Sequence, residues 1–310
     1  MTRSRLRRLS LSVVLVAVTP YVLLKLAWLA GADVGVAPGG DAGALHTPEV
    51  VTGNLVTVAL MGVAVLFAVS LARPGGPRLP AWALVVLGGG AAGLLAHVLI
   101  GLPVGAALEY LSLGRLSTGT GGDLEPWVYA LVYPGFGLLG LALGVLLVSH
   151  ALDRWPAVFA LPPRVTSVPV LFAGVAGLVP FGTAMVWWGL AGVGSTGPVG
   201  MTSVVQRVDL LVTGLLCLGP LAAPYLARSL APGLDARVAW VLVWLGCATA
   251  ALQGPVHLVL AADAHPQPAV AVLAVLATPG ATLYGLALLS AAGRRAYRPS
   301  GSAARGAAGR

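Results

Sequence analysis

Long runs of Leu, Val, Ala and Gly alternate with short polar gaps along this chain, and arginine crowds into every second gap. A bilayer core about 30 Å thick is crossed by roughly 20 apolar residues of helix, each rising about 1.5 Å. The pattern therefore predicts eight transmembrane helices, at residues 11–31, 51–72, 81–102, 127–149, 168–192, 206–227, 238–261 and 268–292.

Composition removes the soluble alternatives. Of the 310 residues, 58% are hydrophobic and 9% charged, and the mean hydropathy is +0.92, beyond what a soluble globular domain carries. The expected fold is an all-α polytopic bundle embedded in a lipid bilayer.

Charge sets the expected orientation, because Lys and Arg flanking a span resist translocation. Arg3, Arg5, Arg7 and Arg8 precede the first span; Arg73, Arg78, Arg154, Arg164, Arg228 and Arg237 fill alternate gaps; Arg294, Arg295, Arg298, Arg305 and Arg310 follow the last. The opposite gaps hold Asp33, Asp41, Glu49, Glu109, Asp123, Glu125 and Asp263 against Arg115 alone. Both termini are expected in the cytoplasm of a cell with this protein in its plasma membrane. The net charge of +8 is then a topology signal and a grip on anionic headgroups, not a nucleic-acid surface. Trp28, Trp82, Trp127, Trp155, Trp187, Trp188 and Trp240 fall near predicted span ends, where amphipathic rings favour the headgroup level.

The N-terminus also has signal-peptide character: RSRLRR, an apolar run and Ala30-Gly31-Ala32. The run is long for a signal, and Lys25 and Trp28 stand where a small-residue cleavage region belongs. It is expected to remain as the first span.

Rare residues suggest an internal duplication. AWALVVLGGGAAGLLAHV from Ala81 pairs with AWVLVWLGCATAALQGPV from Ala239, and PGFGLLGLAL from Pro134 with PGATLYGLAL from Pro279. Pro20, Tyr21 and Trp28 match Pro180, Phe181 and Trp188; Leu71-Ala72-Arg73 matches Leu226-Ala227-Arg228. The expected organisation is a basic arm (1–10), a first four-helix repeat (11–149), a second (168–292) and a disordered basic tail (293–310). With four spans per unit, the repeats would be parallel, as in some transporters. Pro20, Pro180, Pro134-Gly135 and Pro279-Gly280 would kink or break their helices. Gly89 with Gly93, and Gly140 with Gly144, have the spacing that lets helices approach closely.

Ionisable groups inside spans are the functional lead, since charge in hydrocarbon must be paired, hydrated or snorkelled. Lys25 is the only lysine and lies about 9 Å inside the end of its span. It is expected either to snorkel or to meet Glu109, Asp209 or Asp263 at an outer polar site. Arg207 and Asp209 open the sixth span two residues apart and so point to different sides. They join the candidate ligand site, with a plain charged cap as the bland alternative for this pair. His97 and His257 are weak haem or metal candidates, because matching their helices leaves a two-residue offset between them. His46 and His265 add outer imidazoles, but no HExxH, CxxC or CxxCH spacing accompanies them. No cofactor is expected. Cys217 and Cys247 read as apolar packing residues, and Asn54, Thr249 and Gln253 as interhelical hydrogen-bonding groups. GTGGD at 119–123 lacks the lysine and flanking elements of a phosphate loop. The expected activity is transporter-like or ligand-sensing, non-enzymatic, with a small molecule or ion between the repeats. The alternatives are a membrane scaffold for a partner protein and a membrane redox protein using His97 and His257.

Overall fold

The computed structural model describes residues 3–73, 79–114, 124–229, 234–260 and 267–297. Among them run nine α-helices: α1 (Arg3–Leu29), α2 (Pro48–Ala72), α3 (Ala81–Leu113), α4 (Pro126–Arg154), the single turn α5 (Pro156–Phe159), α6 (Val168–Ala191), α7 (Val204–Ser229), α8 (Leu234–Leu260) and α9 (Pro268–Ala296). All but α5 are long and apolar enough to cross a membrane, as fits a multi-pass membrane protein in a lipid bilayer. Among the described residues the sole β feature is a bridge between Val36 and Leu124.

Helix starts follow local chemistry. Proline stands in the first turn of α2, α4, α6 and α9, where its missing N–H is one of the orphan donors anyway. The Thr47 hydroxyl accepts from Val50 N to cap α2. Several helices overrun the predicted spans; α9, for one, continues to Ala296, so residues 293–296 of the expected disordered tail are helical, and α1 and α3 overrun furthest. The basic arm is helical from Arg3, and α3 continues through Pro103 to Leu113 because Gly101, Gly105 and Glu109 are buried. Packing against a neighbouring helix, not bilayer thickness, sets that end.

Of the kinks or breaks expected at proline, no break occurs: Pro20, Pro134, Pro180 and Pro279 all lie inside continuous helices. Pro279-Gly280 serves close approach instead. A Cβ on Gly280 would lie 2.7 Å from Gly177 Cα, so α6 and α9 touch backbone to backbone. Gly135 of α4 faces Ala17 of α1 at ordinary contact distance, its Cβ position 3.5 Å from the Ala17 carbonyl. Of the small-residue pairs, Gly93 packs on the Ala248 carbonyl and Gly140 on Leu95, whereas nothing lies within 4 Å of a Cβ on Gly144.

The helices form two bundles. In the second, α6 packs on α7, α7 on α8, α8 on α9 and α9 back on α6, closing a ring around Leu178, Phe181, Met185 and Tyr284. In the first, α1 packs on α2 and α4, and α4 on α3, but α2 and α3 scarcely meet. This ring is open on one side. Its core of Val14, Phe67, Leu71, Leu143 and Leu146 lies to one side of the gap. The helix α3 leans on α7 and α8 and carries most of the contact between bundles.

Arginines gather at one end of the assembly. Arg3 and Arg7 both bind Asp153 at the end of α4, the latter at 2.7 Å. Arg154 donates to the Leu79 carbonyl before α3, and Arg295 to the Pro162 carbonyl at 3.0 Å. The tryptophans divide. Trp82, Trp127 and Trp187 are exposed, as rings at headgroup level would be, but Trp28, Trp188 and Trp240 are buried. These three hold loops through their indole N–H, donating to the Val34 carbonyl (2.8 Å), Thr196 Oγ1 (3.3 Å) and the Leu161 carbonyl (2.8 Å).

Candidate functional site

Lys25 lies at the end of the bundle opposite the arginines. Its Nζ donates to Asn54 Oδ1 at 2.7 Å and sits 4.4 Å from the Trp28 ring and 5.5 Å from the Tyr21 ring. Its partner among the described residues is therefore an amide on α2 backed by two π faces, not a carboxylate; Asp263 lies outside those residues. Asn54 is 2% exposed, and α1 and α2 are joined here by a charge-assisted hydrogen bond. Asn54→Leu should lower stability by about 1–3 kcal/mol by stranding the ammonium; an unchanged midpoint in denaturant titration would show that Lys25 snorkels instead.

Asp209 belongs to a different wall. A Cβ on Gly101 of α3 would lie 2.8 Å from Asp209 Oδ1 and 3.1 Å from Asp209 Cα, so only glycine lets α7 come this close. Asp209 Oδ1 and His97 Nδ1 are both buried without a hydrogen-bond partner, and the two residues interact electrostatically. Gly93, His97, Gly101, Gly105 and Glu109 recur at every fourth position of α3, one ridge of the helix. The glycines of that ridge meet Ala248 of α8, then Asp209 and Val205 of α7.

The remaining candidates are dispersed. Arg207 donates to the Gly189 carbonyl at 3.1 Å and to the Leu190 carbonyl, closing the end of α6 as a charged cap. Glu109 is buried one turn beyond Gly105. The structure brings Lys25 and Asn54 together, and Asp209 and His97, but does not join the two groups or place Arg207 with either. The His257 side chain, His265 and residues 119–123 lie outside the described residues. Among those described, no three His, Cys, Asp or Glu side chains gather as a metal site would require. Cys217 and Cys247 are free and buried. Thr249 Oγ1 is buried without a partner, so the interhelical bond expected of it is not made.

Between the two polar groups lies the feature that single-residue reasoning missed. The gap between α2 and α3 is a cleft of about 660 Å³, within the roughly 300–1,000 Å³ of ligand sites. Met61, Phe67, Gly90, Leu94, Leu102 and Phe136 supply apolar wall, and α7 closes one end with Gln206 and Asp209. Thr57 and Tyr133 are the other polar groups lining it. The Thr57 hydroxyl donates to the Asn54 carbonyl at 3.0 Å, which ties this wall to the Lys25 group. Leu60, Val63, Val86 and Leu94 are lining residues that remain exposed, so the cleft opens sideways, toward the surface that faces lipid. The every-fourth ridge on α3 is a sequence signal that marks one wall; the missing α2–α3 contact has none.

These features define a membrane bundle with a lateral, nearly apolar cleft that carries one acidic group among the described residues. Comparison with known protein families, with curated proteins and with solved structures finds no match.

Proposed function

We propose that the chain is a transporter-like or ligand-sensing protein of the cell membrane, and that its ligand occupies the cleft between α2 and α3. The observation that carries this reading is the open seam. α7 and α8, which would correspond to α2 and α3, pack closely, whereas α2 and α3 leave a ligand-sized space. A bundle that served only as a packed anchor would gain contacts by closing the gap, because dispersion favours filled interiors.

The two bundles are read as duplicated units. The matches of Pro20 with Pro180 and of Pro134 with Pro279 bring Ala17 into register with Gly177 and Gly135 with Gly280. Those same pairs face each other at the α1–α4 and α6–α9 crossings, a spatial agreement the sequence comparison did not use. On this reading α2 and α3 have parted while their counterparts stayed together. The arginine-rich end is cytoplasmic by the positive-inside rule, so the Asp209 end of the cleft faces outward.

The test uses a blocking substitution. Nothing lies within 4 Å of a Cβ at Gly90, which lines the cleft, so Gly90→Trp should fill the space without disturbing the fold. In phosphatidylcholine nanodiscs, wild-type protein is expected to bind tritiated hexadecanol saturably above empty discs, and the variant to lose at least tenfold in affinity at an unchanged melting temperature. Equal binding by both would remove the cleft as the site.

A scaffold role is the second reading. It is favoured by Gly62 of α2, where a Cβ would meet nothing, an open small residue that a partner helix could approach closely. Co-purification of a stoichiometric membrane partner that Gly62→Leu releases would support it over the ligand reading.

A further inference from the structure

We propose that the cleft takes a single-chain amphiphile with a primary ammonium head, its tail between α2 and α3 and its head at Asp209; this rests on the cleft being the ligand site. The tail follows from shape. The lining runs along α3 from Val86 to Leu102, about 24 Å of helix rise and so most of a hydrocarbon core about 30 Å thick. The wall along that length is Leu, Val, Met, Ala, Gly and Phe, and a volume of about 660 Å³ accommodates one long chain rather than a two-chain lipid.

The head follows from charge. Among the described residues, Asp209 is the only charged side chain lining the cleft. Its Oδ1 is buried without a hydrogen-bond donor, pressed against the Gly101 backbone, where a Cβ would be only 2.8 Å away. His97, with which it interacts electrostatically, leaves its own Nδ1 unpartnered as well, so the pair does not close on itself by a hydrogen bond. A carboxylate in apolar surroundings needs a compensating cation or donor, and Asp209 is one of the residues that line the cleft. Lys25 does not serve: it is committed to Asn54 and the Trp28 ring. An ammonium brings charge and N–H donors together, and charge-assisted hydrogen bonds are the strong ones. The Tyr133 ring, also in the lining, offers a face to a cation.

The experiment measures saturable binding of tritiated hexadecylamine, hexadecanol, hexadecanoate and hexadecyltrimethylammonium to full-length protein in phosphatidylcholine nanodiscs, with empty discs subtracted. Wild type should bind the primary amine roughly tenfold more tightly than the alcohol. The trimethylated head, without N–H, should be weaker than the amine, and hexadecanoate weakest. Asp209→Asn keeps the size and removes the charge, so it should bring the amine down to the alcohol and leave the alcohol unchanged, which also reports that the variant is folded. Wild type binding amine no better than alcohol, or an amine affinity untouched by Asp209→Asn, overturns the head assignment and means that Asp209 is a protonated, neutral group. Absence of saturable binding for every chain, with Gly90→Trp indistinguishable from wild type, overturns the cleft reading itself.

Discussion

Gly246→Val should prevent the second bundle from assembling. A Cβ at this position of α8 would fall 2.1 Å from the Leu216 carbonyl oxygen and 2.5 Å from the Pro220 ring carbons of α7. Overpacking costs typically 1–3 kcal/mol when side chains can yield. Here a backbone oxygen and a proline ring are in the way, and neither swings aside, so the expected loss is about 3 kcal/mol or more. In bilayers such close crossings are favoured by van der Waals contact between small residues, and valine removes the contact as well as adding a clash. The matched control is Gly62→Val on α2, where a Cβ meets nothing and stability should stay within about 0.5 kcal/mol. Detergent-solubilised Gly246→Val is expected to elute as aggregate and to unfold at lower denaturant than the control. A monodisperse variant with a wild-type midpoint would mean that α7 and α8 are farther apart than described.

Gly93→Leu should separate the two bundles. Gly93 sits where α3 crosses α8, and a Cβ there would be 2.4 Å from the Ala248 carbonyl oxygen and 2.7 Å from Leu252 Cδ1. Because α3 carries most of the contact between the halves, forcing it off α8 also lifts Gly101 and Gly105 from Asp209 and Val205 of α7. The expected cost is again about 3 kcal/mol, but the failure differs in kind. Each bundle keeps its own core, Leu71 and Leu146 in the first and Phe181 and Tyr284 in the second. Helix content by circular dichroism should therefore persist while the linker at 161–167 becomes sensitive to protease. Loss of helix content in parallel with protease sensitivity would show that the halves fold as one unit.

The contrast between these glycines and the rest of the chain shows what a single sequence conveys. Span number and approximate position were legible because hydrocarbon thickness imposes length directly on the residue pattern. Arginine placement was equally legible, since each guanidinium reports a local cost at its own gap, and Arg3, Arg7, Arg154 and Arg295 do meet at one end of the bundle. The end of α3 was missed because Gly101, Gly105 and Glu109 are buried by another helix, and partner choice leaves little local trace in lipid, where every helix is apolar on most faces. Lys25 stood out by rarity, but its partner Asn54 was one of several uncharged polar groups, and nothing in the spacing favours an amide over a carboxylate. Asp209 was legible as an oddity and His97 as a weak ligand. That they lie together needed the α3–α7 crossing, although the every-fourth row of Gly93, His97, Gly101, Gly105 and Glu109 already placed His97 on a glycine face.

The cleft itself is a property of what does not touch. Thr57, Tyr133 and Gln206 were unremarkable in the sequence and matter because α2 stands away from α3. The two groups of ionisable residues then take different meanings: Lys25 with Asn54 ties α1 to α2 beside the opening, and Asp209 stands across the space as the charge that a ligand would meet.

The open seam is what the ligand site, its lateral access and the role of Asp209 all depend on. Oxygen accessibility of a nitroxide at position 90, read by power-saturation electron paramagnetic resonance in bilayers with Cys217 and Cys247 replaced by alanine, tests it most directly. A label in the seam should collide with lipid-dissolved oxygen nearly as freely as one at Gly62 on the outer face of α2. A label at 90 as shielded as one at the fully buried Ala250 would mean that α2 and α3 close on each other in lipid, and the account of the site would fall with it.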